Sequence, residues 1–251
     1  MFIGTFLGVA VWETFLPQNK PEFSVGRRWG SHAVVFTVAS LASGVIFRVS
    51  GVVMAAMVAG SRFGLLNRMW LPWGLRFLLA VFLIDLVRYL THRAFHAVRF
   101  LWRIHEVHHS DPDYDVSTAV RFHPFELMLD QAVFLAAVAI LAPPVAAVFA
   151  SELLTTAINF FSHANGCLPG WAERMLGRVI ITPNIHRIHH SEEIAEQSRN
   201  FGQSFCWWDR LFGTFQEPVR ERVFVTGIKE LREVNSLGIG FMLRAPFERR
   251  K

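Results

Sequence analysis

Residues 125–142 and 145–162 are two apolar stretches of helix length that meet at Pro143 and Pro144, and a bilayer is the environment in which such a pair folds. Proline lacks the N–H that a helix interior needs, so the pair ends one helix before the next begins. A hairpin that leaves and returns to one face puts His123, just before it, and His163, just after it, on the same side. Three further stretches have the same character. Residues 31–61 carry a single charge, Arg48, and at ~1.5 Å per residue reach about 45 Å, which predicts one long tilted helix or a hairpin bent near Ser50 and Gly51. Residues 70–90 are expected to cross and end at the first histidines. Residues 1–16 are apolar apart from Glu13 and lack a basic n-region and a cleavage site, so they resemble a membrane-embedded segment more than a secretory signal.

Composition agrees with a bilayer protein: 52% of residues are hydrophobic and 18% charged, with a net charge of +5. Cys167 and Cys206 are too few for a disulfide framework or a cysteine-rich metal site. A nucleic-acid-binding module is excluded as well, since no compact Lys/Arg block precedes Arg249, Arg250 and Lys251. Arg93, Arg99, Arg103, Arg121, Arg174 and Arg178 flank the histidine side, whereas the Pro143 turn has no basic residue, which predicts a cytoplasmic histidine face on a multi-pass protein of the cell (inner) membrane. From Pro169 onward the polarity is mixed, as in a cap over that face. There Trp171, Trp207, Trp208, Phe212 and Phe215 serve either as headgroup anchors or as the cap's own core. The expected fold is one all-α integral membrane domain over 1–251, with membrane helices in 1–91, histidine motifs in 92–124, the hairpin in 125–163 and the cytoplasmic cap in 164–251.

Eight of the 11 histidines fall in three groups: His92 and His96; His105, His108 and His109; His186, His189 and His190. Residues three or four apart share a helix face, so HxxxH and the repeated HxxHH each present two imidazoles in one direction and an adjacent one in a neighbouring direction. Imidazole is a ligand for Fe, Zn, Cu or Ni, and eight or more exceed what one ion accepts, so the count predicts two ions. His163 is the expected ninth ligand. His123 is either a partner to a ligand or part of a loop. Asp85 and Tyr89 lie on the His92 face, where the carboxylate either orients a ligating imidazole or pairs with Arg88. His32 has no histidine near it in sequence and is left out.

His105, Glu106 and His109 also match HExxH, in which two histidines bind zinc and the glutamate activates water. The later copy has Arg187 in the glutamate position, and a zinc metallohydrolase would leave the other histidines unused. A metal handler without catalysis is the other alternative. Its ionisable groups belong near mid-bilayer, whereas these histidines sit at span ends or in the cap.

The segments HRAFH, LWRIHEVHHSDPDYDVSTAVRFHP, FSHANGCLP, TPNIHRIHHS and NFGQSFCWWDRLFGTF, in this order, resemble the fatty acid hydroxylase / sterol desaturase superfamily from about residue 83 to 215. The resemblance implies a non-haem di-iron centre on His92, His96, His105, His108, His109, His186, His189 and His190, with His163 in the region that supplies a further ligand. Some relatives carry a second histidine four residues after the position of His163, where this chain has Cys167. It further implies hydroxylation or desaturation of a lipid C–H bond, fatty acyl or sterol-like, with O₂. The chain has no GxGxxG fingerprint and no cysteine set for an iron–sulfur cluster, so electrons are expected from a ferredoxin or cytochrome b5 with its reductase. Arg99, Arg103, Arg174 and Arg178 are candidate contacts for such a carrier, although positive-inside topology alone explains them and is the stronger account.

Overall fold

The computed structural model describes residues 2–62, 64–218, 225–232 and 234–248; Arg249, Arg250 and Lys251 lie outside them. Among the described residues there are helices and no strands, only three isolated bridges. Helix α1 is Phe2–Phe15, α2 Val25–Phe47 and α3 Gly51–Val58. Ser24 caps α2 and Ser50 caps α3, each accepting the backbone N–H three residues on. The break expected near Ser50 is present: Arg48 takes a left-handed conformation (φ 50) and ends α2. The segment is not a hairpin, because α2 and α3 pack side by side on a later helix rather than on each other.

Helix α4 (Trp73–Ala97) runs unbroken through the first histidine pair, and α5 (Arg99–His109) carries the second group. Helices α6 (Pro124–Leu141) and α7 (Val145–Ser162) flank Pro143 and Pro144, with Ala142 in the left-handed region (φ 46) closing α6. Here the geometry departs from a face-to-face hairpin. Both α6 and α7 pack on α3 and α4, which wedge between them, and Phe134, Val138, Val148, Ala55 and Ile84 form the shared apolar core. Val25–Val58, Pro124–Leu141 and Val145–Ser162 are long and apolar enough to cross a membrane. Val34, Val38, Leu41, Val45, Val133, Ile140 and Phe149 stand exposed on them, an apolar surface of the kind lipid covers.

After α7 come the short helices α8 (Gly170–Leu176), α9 (Pro183–His189), α10 (Ile194–Gln197), α11 (Trp207–Leu211) and α12 (Ile239–Arg244). Trp171, Trp207 and Phe212 are exposed, whereas Trp208 and Phe215 are partly covered by the protein, so the aromatic set divides between surface and interior. Glu13, the acid within the apolar first helix, is buried and accepts the backbone N–H groups of Val116 and Asn165. The N-terminal helix is thereby fastened to the chain just after the second histidine group and just after His163.

Candidate metal centre

Nine histidines converge from α4, α5, α9 and the end of α7, in two groups. His92, His96, His105, His109 and His189 form one; His108, His163, His186 and His190 form the other, and within each the ligand atoms lie within 4.8 Å of one another. The division follows helix periodicity. In α5 the i, i+4 pair His105 and His109 faces the first group while His108 turns to the second. In α9 the i, i+4 pair His186 and His190 faces the second while His189 turns to the first. Stacked rings of His109 and His190, 4.3 Å apart, join the groups.

The outward nitrogens are held by acceptors. His92 Nδ1 lies 2.8 Å from the Phe201 carbonyl, His189 Nδ1 2.8 Å from that of Arg199 and His163 Nδ1 2.8 Å from that of Asn159. His105 Nδ1 meets the Glu126 carboxylate at 2.6 Å. A carbonyl accepts only, so these Nδ1 atoms donate, and the neutral rings turn bare Nε2 lone pairs inward. Burial keeps the rings neutral, lowering His92 and His105 to about 3 and His163 to about 4.

The inward Nε2 atoms lie close together. His92 Nε2 lies 3.0 Å from His189 Nε2 and 3.2 Å from His105 Nε2; His163 Nε2 lies 3.2 Å from the Nε2 atoms of both His108 and His186. Between His92 and both His189 and His105, whose Nδ1 atoms carry the protons, the facing lone pairs repel unless a cation lies between them, whereas His108 and His186 have no acceptor at Nδ1 and an Nε2–H on either can donate to His163 Nε2. An ion about 2.1 Å from each nitrogen sets neighbouring donors ~3.0 Å apart in an octahedron and ~3.4 Å apart in a tetrahedron, the range observed. His96 Nε2, both nitrogens of His109 and His190 Nε2 are likewise buried without hydrogen-bond partners. The donor set fits two ions of the imidazole-binding class.

The other sequence candidates have different partners. Asp85 touches no imidazole: it accepts from Ser204 N, Phe205 N and Trp208 Nε1, at 3.1, 3.4 and 2.9 Å, and so fixes the loop whose Phe201 carbonyl holds His92. The acid nearest Arg88 is Asp130, at 3.7 Å, rather than Asp85. His123 lies outside both groups; its Nδ1 accepts from Phe125 N and caps α6, the helix that carries Glu126. Glu106 also lies outside both groups and lines an open cavity with His96, Trp102 and Glu192, and the carboxylate bonded to His105 is Glu126. Arg187, the residue in place of glutamate in the second HxxHH, donates to Asn184 and to the Ala164 carbonyl beside His163.

Sequence reasoning missed Glu126, whose signal was an acid one turn inside an apolar helix. It also missed His32, fully buried, with Nδ1 2.9 Å from Ser117 Oγ and Nε2 2.8 Å from an Arg121 nitrogen. Arg121 continues to the Val107 carbonyl and Ser110 Oγ at the end of α5. Beside it Arg28 bridges Asp111 and Asp115, tying α2 to the segment after the second histidine group.

The fatty acid hydroxylase family model matches residues 77–214, from the second turn of α4 past the last loop around the histidines. The chain belongs to this family. It is similar to ornithine lipid hydroxylase OlsE of Rhizobium tropici, 29% identical over 181 residues that cover 71% of this chain and 52% of that protein. It is similar as well to human alkylglycerol monooxygenase (30% over 145 residues, 56% of this chain, 31% of that protein). A weaker similarity is to methylsterol monooxygenase 1 of Gallus gallus (27% over 135 residues, 52% of this chain, 42% of that protein). The chain thus spans about half the length of the first of these and less of the others. No solved structure matches it.

Proposed function

We propose that this family member hydroxylates a lipid C–H bond, with one iron ion in each histidine group, O₂ as oxidant and two electrons per turnover from a separate carrier. The observation that supports the reading most is the convergence of nine histidines in two groups, with the unprotonated Nε2 atoms of His92, His189 and His105 turned towards one another at 3.0–3.2 Å. Iron, when bound, supplies the redox chemistry that activates O₂ towards an unactivated C–H bond. The chain's own residues hold the nitrogens: the Phe201, Arg199 and Asn159 carbonyls and the Glu126 carboxylate fix four rings, and burial keeps them unprotonated and dry. Hydroxylation is favoured over desaturation by the relatives, which are named as hydroxylases and monooxygenases.

The ligand set we propose is His92, His96, His105, His108, His109, His163, His186, His189 and His190. The histidine side faces the cytoplasm, under a cap built from 164–251, and a ferredoxin- or cytochrome b5-type carrier docks there. The deciding experiment incubates iron-loaded, membrane-embedded protein with reductase, carrier, lipid extract and ¹⁸O₂. Two irons per chain and one ¹⁸O in the product are expected. One ion per fully loaded chain, or product oxygen drawn from water, overturns the reading and returns the zinc hydrolase. Orientation is read from labelling of intact cells in a Cys167→Ser background: Ala146→Cys, beside the Pro143 turn, should react from outside and Ile194→Cys should not.

A further inference from the structure

One cavity of about 90 Å³ reaches both histidine groups, touching His92 and His105 of the first and His108, His163 and His186 of the second. It lies among α4, α6 and α7, the elements that meet the apolar outer surface, and so it is where the proposed lipid would present its reacting carbon. An unbranched alkyl chain oxidised at mid-length calls for a wall of apolar side chains. This wall is different. Beside Phe95, Phe122 and Leu127 stand Arg88, Asp130, Asn159 and Gln203.

Arg88 is the informative one. Its side chain is 16% exposed, its guanidinium lies 4.6 Å over the Phe134 ring, and its Nε is buried with no hydrogen-bond partner. Its nearest acid, Asp130, stays at 3.7 Å, beyond hydrogen-bond reach. A guanidinium whose nearest carboxylate stays beyond hydrogen-bond reach has N–H groups to offer an oxygen acceptor brought by a ligand into the cavity it lines. Asp130 already lies beside Arg88 in the same space, so a carboxylate or phosphate would meet a like charge there. A neutral acceptor such as an ester or amide carbonyl, an ether or a hydroxyl meets none. Arg88 and His92 are one turn apart on α4 and line the same cavity, about 5–6 Å between their Cβ atoms, so an oxygen held by Arg88 and a carbon at the histidine edge are separated by a few bonds.

We infer that Arg88 binds a neutral oxygen of the substrate, and that the carbon oxidised lies within about four bonds of that oxygen rather than deep in an alkyl chain. This deepens the hydroxylase reading and rests on it for the oxidation step, but the binding geometry is measurable without metal turnover.

The test places the full chain in phospholipid nanodiscs with methyl hexadecanoate carrying a photoreactive diazirine at C3 or at C12. Labelled residues are read by peptide mass spectrometry. The C3 probe should label Phe95, Phe122 or Leu127 at least about fivefold over the C12 probe; Arg88→Met should abolish that preference and Arg88→Lys should keep part of it. Equal or greater labelling from C12, or a preference that survives in Arg88→Met, overturns the inference. Metal content of Arg88→Met is counted in parallel: loss of both ions would make Arg88 a structural residue and overturn its role in binding. Product from ¹⁸O₂ incubations is mapped separately. A mid-chain hydroxyl carrying ¹⁸O keeps the proposed function and overturns this inference. No oxidised lipid, with the C3 preference intact, removes the proposed function and leaves the binding geometry standing.

Discussion

Glu126 shows how much of a metal centre is decided by single residues away from the ligands. Its Oε1 accepts the hydrogen bond from His105 Nδ1–H at 2.6 Å, which fixes the ring and increases the electron density on Nε2. Glu126→Gln should therefore weaken retention of the ion in the first group by roughly 10–100-fold. Chelator competition followed by metal counting measures this, with the second group as internal comparison. Glu106→Gln, altered beside the same histidine but outside both groups, should hold its metal as the parent does. At this scale the sequence was informative about ligands and poor about their partners. Helix periodicity puts His105 and His109 on one face without further information, but the Glu126 contact spans 21 residues and depends on how α5 meets α6.

The third histidine group sits on α9, a helix of seven residues that is too short to be stable alone. Thr182 caps it, with its hydroxyl accepting Ile185 N and donating to Glu173, and Pro183 takes the first-turn position where its missing N–H costs nothing. Asn200, left-handed at φ 53, donates to the Ile185 carbonyl and exchanges hydrogen bonds with Gln216. Asp209 accepts the next two backbone N–H groups, Phe201 and Gly202, each at 2.8 Å. Asn200→Ala should cost about 1–3 kcal/mol, from unpaired buried groups and the strained φ, seen as a lower thermal midpoint. The matching segment NFGQSFCWWDRLFGTF was legible as a family signature, but its task was not. Neither Asn200 nor Asp209 bears a ligand, and Asp85, which reads locally as a partner of His92, binds a loop 119 residues away.

Across the whole molecule the buried imidazoles set the response to acid. Burial lowers His92 and His105 to about 3 and His163 to about 4, whereas an unfolded chain takes up protons near 6.5. The unfolded state thus binds more protons as pH falls, so metal-free protein should keep full stability above ~6.5 and lose it progressively towards ~4. Denaturant midpoints measured at several pH values test this, and a flat profile would contradict it. The 70–90 stretch, expected to cross, is not among the helices long and apolar enough to do so, whereas the two apolar helices on either side of Pro143 and Pro144 and the meeting of His163 with the three histidine motifs were readable from hydropathy and proline placement. The wedging of α3 and α4 between α6 and α7 was not, because hydropathy reports which face avoids water and not which neighbour covers it. The division of two adjacent pairs, His108 with His109 and His189 with His190, between the groups has a consequence for loading. A single peptide bond makes the two halves of each pair move as one body. Capturing the first ion therefore arranges much of the pocket for the second, and the second is bound to a framework already ordered. Titration of metal-free protein should accordingly pass from empty to doubly occupied with little singly occupied species, and native mass spectrometry at one equivalent should record mainly the two extremes.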